Sequence, residues 1–272
     1  IYNRNSSPVL INATITKNSA TNGGGFNDGS SSSPVLINVT IAGNHATSAG
    51  GGFYTNSFPA VSVLTNVVIT GNTAGTLGGG IYLHSSPALT NVVITGNTTT
   101  TSRGGGIYIS TNSSPVLTNV TIAGNYANSD GGGIANMSAT TSTPEIRNSI
   151  IWGNIPDAIY SGAPVITDSI VEGIDSDPQF ADLQQATSSA ATTGGNFRLT
   201  ATSPARDTGN NNLYPDEWSG TDGWSTLVGT SVGKITGEPE YNTYVKPYLA
   251  TDITGVTARI KNGTIDIGAY EF

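Results

Sequence analysis

Three tyrosines at similar spacing are the residues whose chemistry is most suggestive of recognition. Tyr54, Tyr82 and Tyr108 each follow an apolar residue that itself follows a triplet of glycines. On stacked repeats they would stand outward one above another, where exposed aromatic rings can hold the rings of a sugar. The same arrangement is also an ordinary cross-strand ladder that stabilises a sheet. Trp152 is a further aromatic candidate for the same ligand.

Acidic residues in the C-terminal part have the right atoms for a hard cation. Asp207, Asp216, Glu217 and Asp222 lie close together in the sequence, and carboxylate oxygens are ligands that Ca²⁺ prefers. Neither the EF-hand spacing nor a glycine-rich calcium repeat is present. Solvated loop acids and turn caps are therefore the competing interpretation, and no cofactor other than Ca²⁺ is expected.

Catalytic groups are hard to assemble from this sequence. A glycoside hydrolase needs two carboxyl groups a few ångströms apart, whereas Asp28, Asp130 and Glu145 occupy unrelated positions of the repeat described below. The stretch GTSVG at 229–233 matches a serine-nucleophile pattern, but no histidine follows Ser231. The sequence favours a non-catalytic protein and leaves one catalytic alternative open, a site that uses acids between 157 and 222.

Composition narrows the class of protein. The 272 residues include no cysteine, only 10 % charged residues and a formal net charge of −8. Disulfides and thiolate metal sites are therefore excluded, and the negative charge argues against a nucleic-acid partner. No apolar run is long enough to span a bilayer. Abundant Val, Ile, Thr, Asn and Gly indicate an all-β chain with many turns.

The elements that position the tyrosines repeat every 25 to 29 residues. In six units a first asparagine is followed six residues later by a second, and in the first five of them a glycine triplet comes next. The first asparagines are Asn12, Asn38, Asn66, Asn91, Asn119 and Asn148, and Asp168 takes this place in a shorter seventh unit. Apolar residues recur before the first asparagine, after it and after the glycines. This pattern predicts about six stacked coils of three short strands each, with asparagines and glycines at the corners.

These units resemble the right-handed parallel β-helix of the pectate-lyase-like superfamily. The doublets ITGN (69–72) and GGGI (78–81) are similar to the repeats of bacterial polymorphic outer-membrane proteins. We assign residues 1–174 to this domain. Because the first three residues, IYN, align with the stretch after Gly106, we also expect the chain to be cut from a longer solenoid.

A different pattern begins near residue 175. The stretches DSDPQF, NFRLTATSPARDTG and IDIGAYEF resemble, in this order, the closing region of many secreted bacterial β-helix proteins, the choice-of-anchor Q domain. We assign residues 175–272 to a cap that covers the open end of the solenoid, since an exposed strand edge would pair with another chain. The resemblance implies an extracellular location or the bacterial cell surface.

Three functions compete at this point. The favoured one is an adhesin, stalk or other surface module that binds an extended glycan or a host surface along the tyrosine face. The others are a polysaccharide lyase or glycoside hydrolase with a site near the junction of the two regions, and a fibre subunit that associates through its ends. An ice-binding face at Thr14, Thr16, Thr70 and Thr95 is weakened by interrupting Val and Ala residues.

Overall fold

The computed structural model describes residues 1–56, 61–184, 186–187, 191, 195–213, 238–250, 260–261 and 264–268. In these residues the repeats form a right-handed parallel β-solenoid of about six coils with almost no helix, which confirms the predicted fold class. We number the coils 1 to 6 by their first asparagine, so that coil 1 contains Asn12 and coil 6 contains Asn148. A shorter seventh coil follows with Asp168.

The strands are short and regular. In chain order they begin with β1 (Tyr2–Asn3), β2 (Val9–Thr16), β3 (Ser19–Ala20), β4 (Phe26–Asp28), β5 (Val35–Ala42), β6 (His45–Ala46), β7 (Phe53–Thr55), β8 (Val63–Thr70), β9 (Thr73–Ala74), β10 (Ile81–Leu83), β11 (Ala88–Thr95) and β12 (Thr98–Thr99). They continue with β13 (Ile107–Ile109), β14 (Val116–Ala123), β15 (Tyr126–Ala127), β16 (Ile134–Asn136), β17 (Glu145–Arg147), β18 (Ile150–Trp152), β19 (Ile159–Tyr160), β20 (Val165–Thr167) and β21 (Ile170–Val171). The C-terminal region adds β22 (Phe180–Asp182), β23 (Asn196–Leu199), a 3₁₀ turn (Asn211–Leu213), α1 (Glu238–Tyr244), α2 (Lys246–Leu249), β24 (Ile260–Lys261) and β25 (Thr264–Ile265).

Three parallel sheets form the walls of the solenoid. Sheet A joins β1, β4, β7, β10, β13, β16 and β19, the strands that follow the glycine corner. Sheet B joins the long strands β2, β5, β8, β11 and β14, followed by the pairs β17/β18 and β20/β21. Sheet C joins the two-residue strands β3, β6, β9, β12 and β15. Every residue in these ladders lies beside its counterpart one coil away, about 4.8 Å distant.

The division into strands differs from the sequence-based expectation in one respect. In coils 1 to 5 the predicted strands before and after the first asparagine form one eight-residue strand, for example β5, in which Asn38 bends the chain at φ +52°. Asparagine tolerates this left-handed conformation better than other non-glycine residues. In coils 6 and 7 they are separate strands, as predicted. The third wall is sheet C, which follows the second asparagine and was not predicted.

Side chains that point inward fill the solenoid with one continuous apolar core. Each coil contributes one residue from every inward column, and coil 2 supplies Leu36, Ile41 and Phe53, all fully buried. The glycine corner lets the next coil approach closely: a Cβ on Gly79 would lie 2.5 Å from the carbonyl oxygens of Gly105 and Thr98. Side chains are therefore excluded at this corner.

The second asparagines form a buried ladder inside the solenoid. Asn97 donates from Nδ2 to Oδ1 of Asn125 at 2.9 Å and to the carbonyl oxygen of Ile69 at 3.0 Å. Its own Oδ1 accepts both the backbone N–H and the Nδ2 of Asn72, each at 3.0 Å. The same pattern joins Asn18, Asn44, Asn72, Asn97, Asn125 and Asn154. Each side chain satisfies polar groups that the turn would otherwise bury unpaired.

The first asparagines form a second ladder on the outside of sheet B. It runs in the opposite direction, because Asn38 donates to Asn12 at 2.8 Å and Asn66 donates to Asn38 at 2.9 Å. From coil 5 onward the C-terminal region takes over these contacts. Asn119 donates to the carbonyl oxygens of Asp266 and Gly268, at 3.1 and 3.0 Å.

The described parts of the C-terminal region lie along the outer face of sheet B. Phe180, Phe197, Leu199, Ala205 and Ile267 form one apolar cluster with residues of coils 5 to 7, so the stretches DPQF, NFRL, SPA and DIG meet in space. At the other end Tyr241, Val245 and Leu249 of the two helices pack on coils 1 to 4, against Val35, Ile37, Val63 and Ala88.

This placement differs from the predicted cover over the open end. On the last coil Val165, Ile166 and Ile174 are 54, 37 and 71 % exposed. The described residues therefore flank the solenoid along its length, and the domain boundary at 174/175 stays a prediction. No helix among the described residues is long and apolar enough to cross a membrane.

Candidate functional site

Sheet A places the three tyrosines in one outward column. Tyr54, Tyr82 and Tyr108 occupy the middle positions of β7, β10 and β13 and pair directly in register. Their rings stack with centroids 4.8 and 5.3 Å apart and planes inclined by 13 and 11°. Tyr54 and Tyr82 are half-buried, and Tyr108 is 7 % exposed. We call these three residues the tyrosine strip.

Stacking changes what the strip can offer a ligand. Rings that lie face to face cover one another, so the inner π faces cannot hold a sugar ring. Their edges and hydroxyl groups remain. Within the described residues the hydroxyls of Tyr54, Tyr82 and Tyr108 make no hydrogen bond, and the buried unpaired side-chain atoms are found elsewhere, on Thr65, Thr118 and Asn119. The strip thus has a row of unpaired hydroxyls, one per coil, on the half-buried Tyr54 and Tyr82 and on the largely buried Tyr108.

The hydroxyls act as neutral hydrogen-bond donors and acceptors. Burial, and then the neighbouring Tyr82, raise the pKa of Tyr54 above its ordinary value. The same two causes raise the pKa of Tyr108, against a smaller opposing effect of Arg103. Both rings therefore keep their protons throughout the neutral range and can donate to oxygen atoms of a ligand.

The column continues beyond the tyrosine strip to Tyr160, which was not predicted from the sequence. Ala135 follows Tyr108 in register, and Tyr160 follows Ala135. The guanidinium of Arg103 lies 5.0 Å from the centroid of the Tyr160 ring and donates to Asp130 at 2.8 Å. Arg103 also acts electrostatically on Tyr108, which precedes Ala135 in the column.

Tyr160 could have been found from the sequence. The stretch AIYSGAPVIT in the sixth unit aligns with GIYISTNSSPVLT after the fourth glycine triplet. The sixth unit has no glycine triplet to anchor that alignment, and its loop is shorter. Arg103 and Asp130 stand immediately before two successive triplets, and this shared position indicates contact between neighbouring coils.

Two carboxylates lie beside this end of the column. Asp130 accepts from Ser129 at 2.6 Å as well as from Arg103, and these contacts, led by the Ser129 hydroxyl, lower the pKa of Asp130. Asp157 accepts the backbone N–H of Gly131 at 2.7 Å. Burial chiefly, and the charge of Asp130 in addition, raise the pKa of Asp157. The pKa of Asp130 therefore lies below the ordinary aspartate value, and the pKa of Asp157 lies above it.

The other predicted site residues lie apart from the tyrosine strip. Trp152 is on β18 of sheet B and packs against the C-terminal apolar cluster. Asp207 lies in the C-terminal region, where its side chain is 3.3 Å from Arg206 and its backbone N–H donates to Asp266 at 2.5 Å. Asp216, Glu217 and Asp222 lie outside the described residues. The described part of the chain contains no group of three or more His, Cys, Asp or Glu residues that could hold a metal ion.

Comparison with known proteins gives one family. A family model described as "Right handed beta helix region" matches residues 1–125 and 78–177. No curated protein and no solved structure matches the chain significantly. The matched residues cover all coils of the solenoid, including the tyrosine strip, Arg103 and Tyr160.

Proposed function

Since the chain belongs to the right handed β-helix family, we propose that it is a non-catalytic surface or secreted module, an adhesin or stalk, that binds an extended glycan along sheet A. The observation that carries this proposal is the row of unpaired tyrosine hydroxyls. The core, the corners and the asparagine ladders hold the coils together without using these groups. Hydroxyl-rich polymers are natural partners for a row of neutral donors and acceptors.

The C-terminal region supports an extracellular or cell-surface location. Its three sequence landmarks resemble the choice-of-anchor Q domain of secreted bacterial β-helix proteins, and the structure brings them together in one cluster. We propose on this basis that the chain acts outside the cell or at the bacterial surface.

A glycan array tests the proposal. The wild type and the Tyr82→Ala variant are compared with Tyr126→Ala, which removes a half-buried tyrosine from sheet C on another wall. Binding that is lost in Tyr82→Ala and kept in Tyr126→Ala supports the proposal. Binding that survives both substitutions places the ligand elsewhere, and an array with no signal for the wild type refutes a glycan ligand.

A catalytic function is the second candidate, favoured by Asp130 and Asp157. Carboxyl groups whose pKa values are shifted in opposite directions can act as acid and base. Both residues lie beside the tyrosine column, near the junction between the repeats and the C-terminal region, where the sequence leaves a catalytic site open. Incubation with pectin, alginate and glycosaminoglycans, followed by assays for reducing ends and unsaturated products, tests this candidate. Activity that disappears in Asp157→Asn would favour the enzyme over the binding module.

Self-association is a third candidate, favoured by the exposed last coil. Within the described residues nothing pairs with the outer edges of β19, β20 and β21, and free edges recruit other strands. Light scattering should then show particle size increasing with concentration, and Ile174→Lys should reduce this increase. A size independent of concentration would leave only the monomeric functions.

A further inference from the structure

We propose that the last coil of the solenoid binds an extended segment of a partner protein, rich in lysine or arginine, as an added β-strand. This interaction would involve neither the tyrosine strip nor a glycan. Three features of the last coil point to it: a free strand edge, an apolar cavity beside that edge, and a group of carboxylates without counter-ions.

The free edge belongs to β20. Val165 donates its N–H to the carbonyl oxygen of Pro144 at 2.9 Å. The carbonyl oxygen of Thr167 accepts the N–H of Asn148 at 3.1 Å. Since successive residues of a paired strand direct their backbone groups to opposite sides, the N–H and C=O of Ile166 point away from coil 6. Among the described residues neither group has a partner, so β20 offers one donor and one acceptor to an added strand.

The next strand, β21, is closed by the turn that follows it. Val171 donates its N–H to the Asp175 carboxylate at 2.9 Å. Its carbonyl oxygen accepts the N–H groups of Ile174 and Asp175 at 3.1 and 3.0 Å. A second copy of the chain that stacked a whole coil on this end would have to displace the turn. A short segment can pair with β20 alone, and the geometry therefore favours a partner strand over a second copy.

An apolar cavity lies beside the free edge. Its volume is about 270 Å³, and its walls include Ile159, Ile166, Val171 and Ile174. Ile166 and Ile174 are exposed, so no described residue covers the core at this end. An apolar cavity of about 150 Å³ can hold benzene. An aliphatic or aromatic side chain on the inward face of the added strand therefore has room here.

Negative charge surrounds the last coil. Residues 155–180 contain five acidic residues and no lysine, arginine or histidine. Asp157, Asp168 and Glu172 each accept a hydrogen bond from an uncharged N–H group. Within the described part of the chain none of the five acids forms an ion pair. Electrostatic complementarity therefore selects a segment with basic side chains.

Fluorescence anisotropy with labelled peptides tests the proposal on the full chain. The probe is a short peptide in which lysine alternates with valine and isoleucine, so that as a strand it has one basic and one apolar face. One comparison peptide has glutamate in place of lysine, and another is the lysine peptide with N-methyl groups in place of its backbone N–H donors. We expect only the unmodified lysine peptide to bind, and its affinity to fall as the salt concentration rises.

Variants of the last coil locate the site. Asp168→Asn and Glu172→Gln remove a charge and keep an acceptor oxygen, and each should weaken binding of the lysine peptide about two- to fivefold. Asp182→Asn removes the same charge from β22, outside the last coil, and should leave the affinity unchanged. Ile166→Pro removes the free N–H at an edge position, where proline is tolerated, and should abolish binding. Circular dichroism checks that each variant is folded.

The other outcomes would overturn the proposal. Equal binding of the lysine and glutamate peptides would exclude the charge requirement, and binding of the N-methylated peptide would exclude pairing with β20. Light scattering that increases with concentration for the chain alone, and does not do so in Ile174→Lys, would place a second copy at this end instead. If the lysine peptide does not bind, the proposal fails, and glycan binding on sheet A is unaffected.

Discussion

The inner asparagine ladder should dominate the stability of the solenoid, and Asn97→Ala tests this. Asn97 is fully buried in the middle of the stack and makes four side-chain hydrogen bonds. Its replacement by alanine removes all four and leaves the N–H of Asn72 without its acceptor. A buried polar group left unpaired costs about 1 to 3 kcal/mol. With more than one group affected, we expect a loss of about 4 kcal/mol in the free energy of unfolding.

The measurement is equilibrium unfolding in urea, followed by the circular dichroism of the β-sheet. Asn38→Gly is the matched control, because it breaks two bonds of the outer ladder while glycine keeps the left-handed backbone at this position. Since Asn38 is exposed, water can replace its partners, and a loss of about 1 kcal/mol or less is expected. Equal losses in the two variants would show that burial does not strengthen the ladder, and the reasoning would fail.

Three further predictions concern the glycine corner, Asp157 and the C-terminal helices. Gly79→Ala should prevent folding or displace a coil, because the new Cβ would lie 2.5 Å from backbone oxygens. Gly43→Asn is the control and should fold, because Gly43 has φ +63° and a Cβ there would meet no atom within 4 Å. Expression level and circular dichroism distinguish the two variants. Asp157 has a raised pKa in the folded state, so its contribution to stability is present at pH values below the ordinary aspartate pKa and is lost as the pH rises through the raised pKa. Urea unfolding across the acid range should show this loss in the wild type and not in Asp157→Asn. Parallel curves of stability against pH for the two proteins would contradict the prediction. Leu249→Ala should release α1 and α2 from sheet B, since truncating a buried leucine costs about 2 to 5 kcal/mol, and limited proteolysis should then cleave near these helices sooner than in the wild type; equal cleavage times would show that Leu249 does not anchor them.

The repeat was predictable from the sequence because its signals are strictly local. An asparagine equivalent to Asn38 recurs in each coil because each coil needs the same bend, and apolar residues equivalent to Leu36 and Ile41 recur because each coil fills the same part of the core. Sheet C was not predictable, because two residues such as Thr73–Ala74 are too few to show the alternation that identifies a strand.

The position of the C-terminal region had a signal that the sequence analysis did not use. The stretches PVLIN at 8–12 and 34–38 are apolar without alternation, which is typical of a strand covered on both faces. In later coils threonine replaces the last apolar residue, as at Thr65. The helices pack where the apolar run is continuous, on Ile37 and its neighbours.

The tyrosine strip was predictable as a column but not in its properties. Register alone places Tyr82 beside Tyr108. The tilt of the rings, which covers their faces, depends on side-chain packing that spacing does not determine. The contact of Arg103 with Tyr160 crosses two coils, and the spacing of residues within one repeat does not show it.

The C-terminal region also determines how the protein would respond to a pulling force. Sheets in a solenoid bond along the axis, so tension between its ends would peel off one coil after another, each adding 25 to 29 residues of slack chain. Tyr248 donates to Asn12 on coil 1 at 2.9 Å, while Gly268 donates to Asn148 on coil 6 at 2.7 Å. These two contacts lie near opposite ends of the stack, and both are made by residues of the C-terminal region. Peeling of the first coil must also break the hydrogen bond between Tyr248 and Asn12, so the C-terminal region would add mechanical resistance without adding length to the stack.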